Sequence, residues 1–459
     1  MGSTHPHLPT SISWILASAS PRRQALLRQL GLSFTCIPSR IEERAHEREA
    51  PRHFAQRMAE EKALDIARDI AHQTSSIALS DESASAQNNA QNRGETWVIG
   101  GDTVVALKEK ILGKPIDVQD AEDMLTQLSN REHDVWSGWA IARQTSTGPE
   151  VIKSGVSQGV VTMRALSIEE IGSYVATGEP LDKAGSYGIQ GLGGRFVDKL
   201  TGSLYGVIGL PLLDLGEAIS GLKQLPHSEF ALRGVALRER AATAAWRSGR
   251  SVDEVQVLAV SKKNSAQKVL TAGAHHFSHF GESYLQELTG KRPEVELSWP
   301  TSYGADPTWH YIGGIQRNKA RHIGAQAQWI HGVSRFVEAQ RINEGASNVG
   351  GCPQILIQVN IAGETSKGGA QPHDVLELLT QCATLNSIKV VGLMTFPPLS
   401  APEDNRVHFR ALRALRDQLT QSGFQLPHLS MGTSHDFEVA IEEGATWVRL
   451  GRSLFGERT

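Results

Sequence analysis

The sequence predicts an α/β protein of two domains, the second a (β/α)8 barrel. Three observations carry this expectation. The chain of 459 residues is too long for one ordinary domain and suits two of roughly 200 residues. Close to its start an apolar strand runs into Ser18-Ala19-Ser20-Pro21-Arg22-Arg23 and then a helix, the order of a phosphate-binding unit. Beyond residue 229, short apolar strands alternate with helices eight times, the pattern of a closed parallel barrel.

Taken in order, Trp14 to Ala17 make the first strand. Arg23 to Leu30 follows with helical spacing through Leu26, Leu27 and Leu30, closed by Gly31. A second helix is predicted over Pro51 to His72, and Gln73 to Glu95, rich in Ser, Asn, Gln and Ala without periodicity, reads as a disordered insertion. Trp97 to Asp102 is a buried strand with Gly100, Gly101 and Asp102 at its C-terminal end. A hairpin-like return through Val104 to Leu112 and a helix over Val118 to Leu128 come next. The segment Gly221 to Glu229 breaks the pattern, so the domains are set at 11–222 and 230–459 with 223–229 as linker. A helix over Phe230 to Ser248 opens the second half. Its strands are expected at Val255 to Ser261, His276 to Phe280, Trp309 to Ile312, Trp329 to Val333, Gln354 to Ile361, Val390 to Thr395, His428 to Met431 and Trp447 to Leu450. The polar, Pro-bearing stretch Leu297 to Pro307 reads as a surface loop.

A formal net charge of -3 gives no basic excess, so composition does not support binding to a nucleic-acid polymer, whereas free nucleotides stay open. Cys36, Cys352 and Cys382 are scattered without CxxC spacing. They fit a reducing cytoplasm, provide neither a disulfide framework nor a thiolate zinc site, and read as ordinary buried thiols. Met1 to Ser13 lacks a basic segment followed by an apolar core, and no run approaches the roughly 18 apolar residues of a membrane span. The expectation is a soluble cytoplasmic protein without membrane association.

Two sites emerge. In the first, the hydroxyls and N–H groups of Ser18 to Arg23 at a helix start can cradle an anion, with Pro21 fixing the first turn and two guanidiniums adding donors. Further pieces follow in order: Glu42-Glu43, Glu61-Lys62-Ala63, Gly101-Asp102-Thr103, Gly113-Lys114-Pro115 and Tyr187-Gly188-Ile189-Gln190-Gly191. With the phrase from Glu179 to Gly194, this set resembles the Maf family of nucleoside triphosphate pyrophosphatases over about Ile15 to Leu222. The resemblance implies an α/β fold with a central cleft, often a homodimer, that cuts a nucleotide between its α and β phosphates. The branch it looks like acts on dTTP and UTP, with Ser18 among the substrate-binding residues and Arg22, Thr103 and Gln190 as specificity positions. Elementary chemistry runs parallel: a triphosphate needs cations, which Arg22, Arg23, Lys62 and Lys114 can supply. It also needs a divalent ion, Mg2+ or Mn2+, on hard oxygens such as Glu43 and Asp102. Asp102 is the candidate to orient or deprotonate the attacking water, and Glu42 reads as a solvated residue.

In the second, Lys262 follows the apolar run from Val255, where an amine could form an imine with a carbonyl cofactor. Its context is Phe280-Gly281-Glu282-Ser283, Trp309 to Lys319, Gln358 to Ile361 with Ser366 to Gly369, Gly392 to Met394, Ser430 to Ser434 and Val448 to Gly456. Together these look like the YggS-like pyridoxal phosphate homeostasis family over about Leu232 to Arg458, a barrel similar to the alanine racemase N-terminal domain. The resemblance implies pyridoxal 5′-phosphate (PLP) held as an imine on Lys262. It also implies the phosphate near Ser434 and Gly451, Asn360 among the cofactor-binding residues, and Arg449 facing the pyridine nitrogen. A guanidinium cannot give up its proton, which disfavours transaminase chemistry. With few residues after the last barrel motif to supply an opposing base, cofactor binding for vitamin B6 homeostasis is expected rather than strong catalysis. Three departures from the family pattern lie near the cofactor rim: Ser283 for Asn, Gly314 for Pro, and Thr433-Ser434-His435. Each of His310 and His435 reads as a structural or rim histidine rather than as a general base. The alternative is a nucleotide-binding regulator of division or septum formation fused to an amino-acid racemase-like PLP enzyme.

Overall fold

The structure, a computed structural model, describes residues 12–80, 95–364 and 368–457. It divides into two compact units, Met1–Val235 and Ala236–Thr459, each described by itself.

The first unit is built on a seven-stranded sheet in the order β2-β1-β3-β5-β6-β7, with β4 paired to β3. Its strands are β1 (Ser13–Leu16), β2 (Phe34–Cys36), β3 (Thr96–Leu107), β4 (Lys110–Leu112), β5 (Glu132–Thr145), β6 (Gly148–Met163) and β7 (Val197–Gly202). The pairs β1·β2 and β1·β3 are parallel and the remainder antiparallel. Two expectations change here. Asp102 does not end a strand: β3 runs on to Leu107, paired with β5 along most of its length, and only Lys110–Leu112 turns back. Between Leu128 and Gly221, where the sequence reading places no element, lie the two longest strands, because β5 is buried nearly throughout its middle and shows no alternation to read.

Helix α1 (Pro21–Arg28) follows β1, and α2 (Pro51–Ser80) crosses the sheet. Ala55, Ala59, Ala63 and Ala67 recur every four residues and are buried, so α2 presents a stripe of small side chains. That stripe meets glycines. A Cβ on Gly100 would lie 2.0 Å from the Ala59 carbonyl oxygen, and one on Gly138 would lie 2.1 Å from that of Ala55. The helix backbone therefore rests directly on β3 and β5. α2 also continues to Ser80, eight residues past its predicted end, which corrects the start of the expected insertion; positions 81–94 of that insertion lie outside the described residues. The unit is completed by α3 (Val118–Leu128), α4 (Ile168–Val175), α5 (Leu204–Ile208) and α6 (Leu212–Gly221), and the helix α7 (Ser228–Arg247) comes next.

The second unit is a closed barrel of eight parallel strands: β8 (Gln256–Val260), β9 (His279–Glu282), β10 (Thr308–Tyr311), β11 (Trp329–Val333), β12 (Gln354–Gln358), β13 (Lys389–Met394), β14 (His428–Thr433) and β15 (Trp447–Leu450). Each strand is followed by a helix: α8 (Ala266–Ala274), α9 (Leu285–Ser298), α10 (Ala320–Gln326), α11 (Phe336–Ser347), α12 (Val375–Cys382), α13 (Arg406–Gln421), α14 (Phe437–Glu442) and α15 (Arg452–Phe455). The interior combines Leu258, Ile312, Leu356 and Met394 with two indoles, Trp329 and Trp447. The predicted loop from Leu297 starts inside α9, and Trp299 and Tyr303 beyond it close on Gly273, where a Cβ would meet the Trp299 ring at 2.4 Å. Of the three thiols expected to be buried, only Cys382 is; Cys36 and Cys352 are exposed. Among the described residues no helix is long and apolar enough to cross a membrane.

Candidate functional sites

The loop after β1 is shaped by its own side chains. Ser20 caps α1 by accepting from the Arg23 N–H at 3.4 Å, and Pro21 opens the helix. This turns Arg23 back over the sheet, where Nε donates to the Gly209 carbonyl at 2.9 Å, one terminal nitrogen to Ser18 Oγ at 3.4 Å and the other to Thr103 Oγ1 at 3.2 Å. Thr103 is also 3.0 Å from the buried Ser137 hydroxyl, which donates to the Gly206 carbonyl at 2.6 Å. Burial lowers the pKa of Arg23, opposed by the charges of Asp102 and Glu43.

Beside this cluster α2 delivers Lys62. Its side chain is 8% exposed, and its ammonium donates to Asp102 Oδ1 at 2.7 Å and to Glu43 Oε1, pairing with both carboxylates. Burial works to raise the Glu43 carboxyl, but the charge and hydrogen bond of Lys62 outweigh it, aided by Lys114 and Arg23, and hold it below the usual carboxylate range. Among the described residues no three His, Cys, Asp or Glu side chains converge on a common metal position. Glu43 and Asp102 offer hard carboxylate oxygens of the kind Mg2+ takes, and both pair with the Lys62 ammonium.

The remaining predicted residues surround rather than join this core. Lys114 is exposed and acts on Glu43 through charge. The Arg22 charge reaches the Tyr174 hydroxyl and Asp182, on the side of the 187–194 loop. Gln190 is exposed on that loop, with no hydrogen bond to the others among the described residues. Glu179 shapes the loop by accepting from Tyr174 Oη at 2.8 Å, Leu192 N at 2.9 Å and Gly193 N at 3.2 Å. A Cβ on Gly191 would strike the same carboxylate at 2.3 Å, which explains a glycine there. Ser137, Gly209 and Glu179 carry structural duties that sequence reasoning did not assign. Arg23 and Gly209 lie 186 positions apart, and a backbone carbonyl leaves no mark in the residue type.

In the barrel, Lys262 comes two residues after β8, at the C-terminal mouth, with Nζ 3.3 Å from Ser283 Oγ. Ser283 is one of the departures from the family pattern. The backbone on both sides of Lys262 is clamped. Buried Lys291 donates to the Ser261 carbonyl at 3.0 Å and to Glu282 at 2.6 Å, Ser261 Oγ donates to Glu282 at 2.7 Å, and the Lys263 N–H donates to Glu287 at 2.7 Å. Burial raises the Glu282 carboxyl, against the charge of Lys291.

Arg449 stands on β15, 3% exposed, donating to Ser430 Oγ at 2.7 Å and the Thr395 carbonyl at 2.9 Å, with its guanidinium 4.1 Å from the Phe396 ring centre. Burial lowers its pKa to about 10, so it stays a cation at neutral pH. Its Nε is buried and has no hydrogen-bond partner among the described residues, an N–H donor awaiting an acceptor. Ser434, after β14, pairs with Ser453 Oγ at 2.8 Å, and Gly451 opens the short α15. Asn360 Nδ2 donates to the Glu364 carbonyl at 2.8 Å, holding its own loop. His310 is fully buried, and His435 lies on the rim, 3.0 Å from the Ser400 carbonyl. A cavity of about 860 Å3 opens at the same mouth. None of the five predicted cofactor residues lines it, but Ser283 and Phe396, the neighbours of Lys262 and Arg449, do.

Comparison with known proteins divides the chain in the same two parts. Residues 13–222 match the Maf-like protein family and residues 235–459 the alanine racemase N-terminal domain family. The chain is similar to a pyridoxal phosphate homeostasis protein of Aquifex aeolicus, 40% identical over 48% of this chain and 94% of that one. It is also similar to a dTTP/UTP pyrophosphatase of Escherichia coli, 40% identical over 46% of this chain and 94% of that one. Among solved structures, PipY of Synechococcus elongatus with PLP bound is 34% identical, covering 48% of this chain and 99% of that chain at a TM-score of 0.41.

Proposed function

Because the chain belongs to the Maf family in its first half and to the alanine racemase N-terminal-domain family, with the pyridoxal phosphate homeostasis proteins, in its second, we propose that it is bifunctional. The first half hydrolyses dTTP and UTP to the monophosphate and pyrophosphate, and the second binds PLP on Lys262 for vitamin B6 homeostasis.

For the first half the observation that supports the reading most is Lys62 held between Glu43 and Asp102 beside the Arg23 cluster. Arg22, Arg23, Lys62 and Lys114 balance the triphosphate charge. Arg22, Thr103 and Gln190 select the base and sugar, and Ser18 helps seat the phosphates. Asp102 Oδ1 accepts from Lys62, which orients the carboxylate, and we assign Oδ2 to the attacking water. Water adds to the α-phosphorus, its proton passes to Asp102, and the bond to the oxygen bridging the β-phosphate breaks with its electron pair leaving on pyrophosphate. Mg2+ or Mn2+, held by Glu43 and Asp102, would polarise the phosphoryl oxygens. A homodimer through this half belongs to the same reading, and molecular mass in solution checks it.

For the second half the supporting observation is the buried Arg449 Nε, without a hydrogen-bond partner among the described residues, which suits a neutral pyridine nitrogen. When bound, PLP supplies an electrophilic carbonyl and an electron sink. Lys262 provides the amine, steadied by the clamp around it. Arg449 would offer an N–H to the ring nitrogen without releasing the proton, which would weaken that sink, and Ser434, Gly451 and Asn360 would hold the cofactor, the first two at its phosphate. Carriage of the cofactor follows rather than rapid turnover.

One sample tests both halves. After addition of PLP the purified full chain turns yellow and Lys262→Ala does not. With Mg2+, a nucleotide panel yields pyrophosphate chiefly from dTTP and UTP, and Asp102→Ala loses roughly 10²–10⁴-fold. Fully active Asp102→Ala protein defeats the hydrolytic mechanism. Racemisation of single-enantiomer alanine or serine at an ordinary rate, about 10 s⁻¹, defeats the carrier reading and restores the racemase-like alternative.

A further inference from the structure

Across the barrel interior runs an unbroken line of hydrogen bonds that neither reading above uses. His279 Nδ1 lies 3.0 Å from His310 Nε2, His310 Nδ1 lies 2.9 Å from His331 Nε2, and His331 Nδ1 lies 2.9 Å from Ser430 Oγ. The last hydroxyl is the one to which Arg449 donates at 2.7 Å. His310, His331 and Ser430 are fully buried. Trp329 stacks on the His310 ring at 5.4 Å, and Trp447 meets the His279 and His310 rings edge-on at 4.8 Å and 4.9 Å.

We propose that His279, His310, His331 and Ser430 form a positioning chain of fixed hydrogen-bond direction that holds the Arg449 guanidinium with its Nε–H aimed at the cofactor's ring nitrogen. The inference rests on PLP binding as read above. Its direction follows from counting protons. Arg449 only donates, so Ser430 accepts from it, and the single Ser430 hydrogen must go elsewhere. Among the described residues the Ser430 hydroxyl has two partners, Arg449 and His331, so it donates to His331 Nδ1. His331 then carries its proton on Nε2 and donates to His310 Nδ1, and His310 likewise donates from Nε2 to His279 Nδ1. The reverse order would strand a buried hydroxyl hydrogen, at the cost of an unmade bond. The pattern also requires neutral rings, since an imidazolium has two donors and no acceptor. Burial enforces this by driving all three imidazoles below their ordinary value. The charged or titratable groups facing them are Arg449 on β15 and His428 on β14, while Asp436 acts on Arg449 itself.

The test uses the full chain with ¹⁵N-labelled histidine and, in parallel, the visible band of the PLP-loaded protein. The expected result at pH 7 is one neutral tautomer, protonated on Nε2, for His279, His310 and His331. In Ser430→Ala the His331 tautomers mix, PLP affinity falls by about tenfold or more, and the pH titration of the visible band moves; Ser430→Thr restores all three. A folded, yellow Ser430→Ala protein with the wild-type titration and affinity overturns this inference and leaves the PLP reading standing. Imidazolium or Nδ1-protonated rings in the wild type overturn it as well. A wild-type protein that stays colourless with PLP overturns the PLP reading, and this inference with it.

Discussion

Lys62 answers to two acids at once, one exposed and one buried, and this makes it the residue whose loss is felt first. Asp102 is 5% exposed, so removing its ammonium partner leaves a buried carboxylate uncompensated. For Lys62→Met we expect destabilisation of about 3 kcal/mol in denaturant titration, and Lys62→Met combined with Asp102→Asn should recover part of it, because the stranded charge is gone. An additive double variant would mean that the pair is not coupled. At this scale the sequence was legible where a motif names a charged side chain: Lys62 meets Asp102 and Glu43, and Arg23 acts on both carboxylates through charge. It was not legible where the partner is a main-chain carbonyl, as at Gly209, or a small hydroxyl from a distant element, as at Ser137 on β5 and Ser453 on α15. Nor could spacing reveal that Thr103 spends its hydroxyl on Arg23, Ser137 and the Gly209 carbonyl.

Among elements, α2 governs the first site, since the alanine stripe sets how close Lys62 comes to Asp102. Gly138→Ala places a methyl 2.1 Å from the Ala55 carbonyl, which neither backbone can yield cheaply. It should lower stability by roughly 1–3 kcal/mol and reduce pyrophosphate release as α2 lifts. Gly290→Ala, in α9 with open space around its Cβ, should instead gain roughly 0.5–1 kcal/mol. Equal effects of the two substitutions on thermal unfolding would refute the close-approach argument. The helix itself was readable in the sequence, but its last turns were not, because the polar run Gln73-Thr74-Ser75-Ser76 reads as its end. The barrel strands were readable within a few residues, as each is a short apolar run closed by a polar or glycine turn, whereas β5 escaped because its buried middle shows no alternation and β6 because most of its length is only partly buried.

For the molecule as a whole, acid should be the weak flank. His133 and His279 are depressed to about 4 by burial, and His310 and His331 also lie well below 6.5. The unfolded chain takes up protons near pH 6.5 that the folded one refuses, so stability is full above that value and falls as pH drops from 6.5 toward 4. Each imidazole contributes about 1.4 kcal/mol per pH unit. Denaturant midpoints measured at pH 7.5, 6 and 5 should descend steeply, and a flat profile would contradict the buried neutral rings. The fold class was legible at this scale because repetition in the second half and motif order in the first survive without three-dimensional detail, while the imidazole line was invisible because its members sit on four different strands. The placement of the thiols carries a practical consequence. Cys36 and Cys352 are accessible, one in each unit, and Cys382 is shielded, so maleimide dyes can be attached to the unaltered polypeptide and give each unit its own optical reporter when nucleotide or vitamin is added.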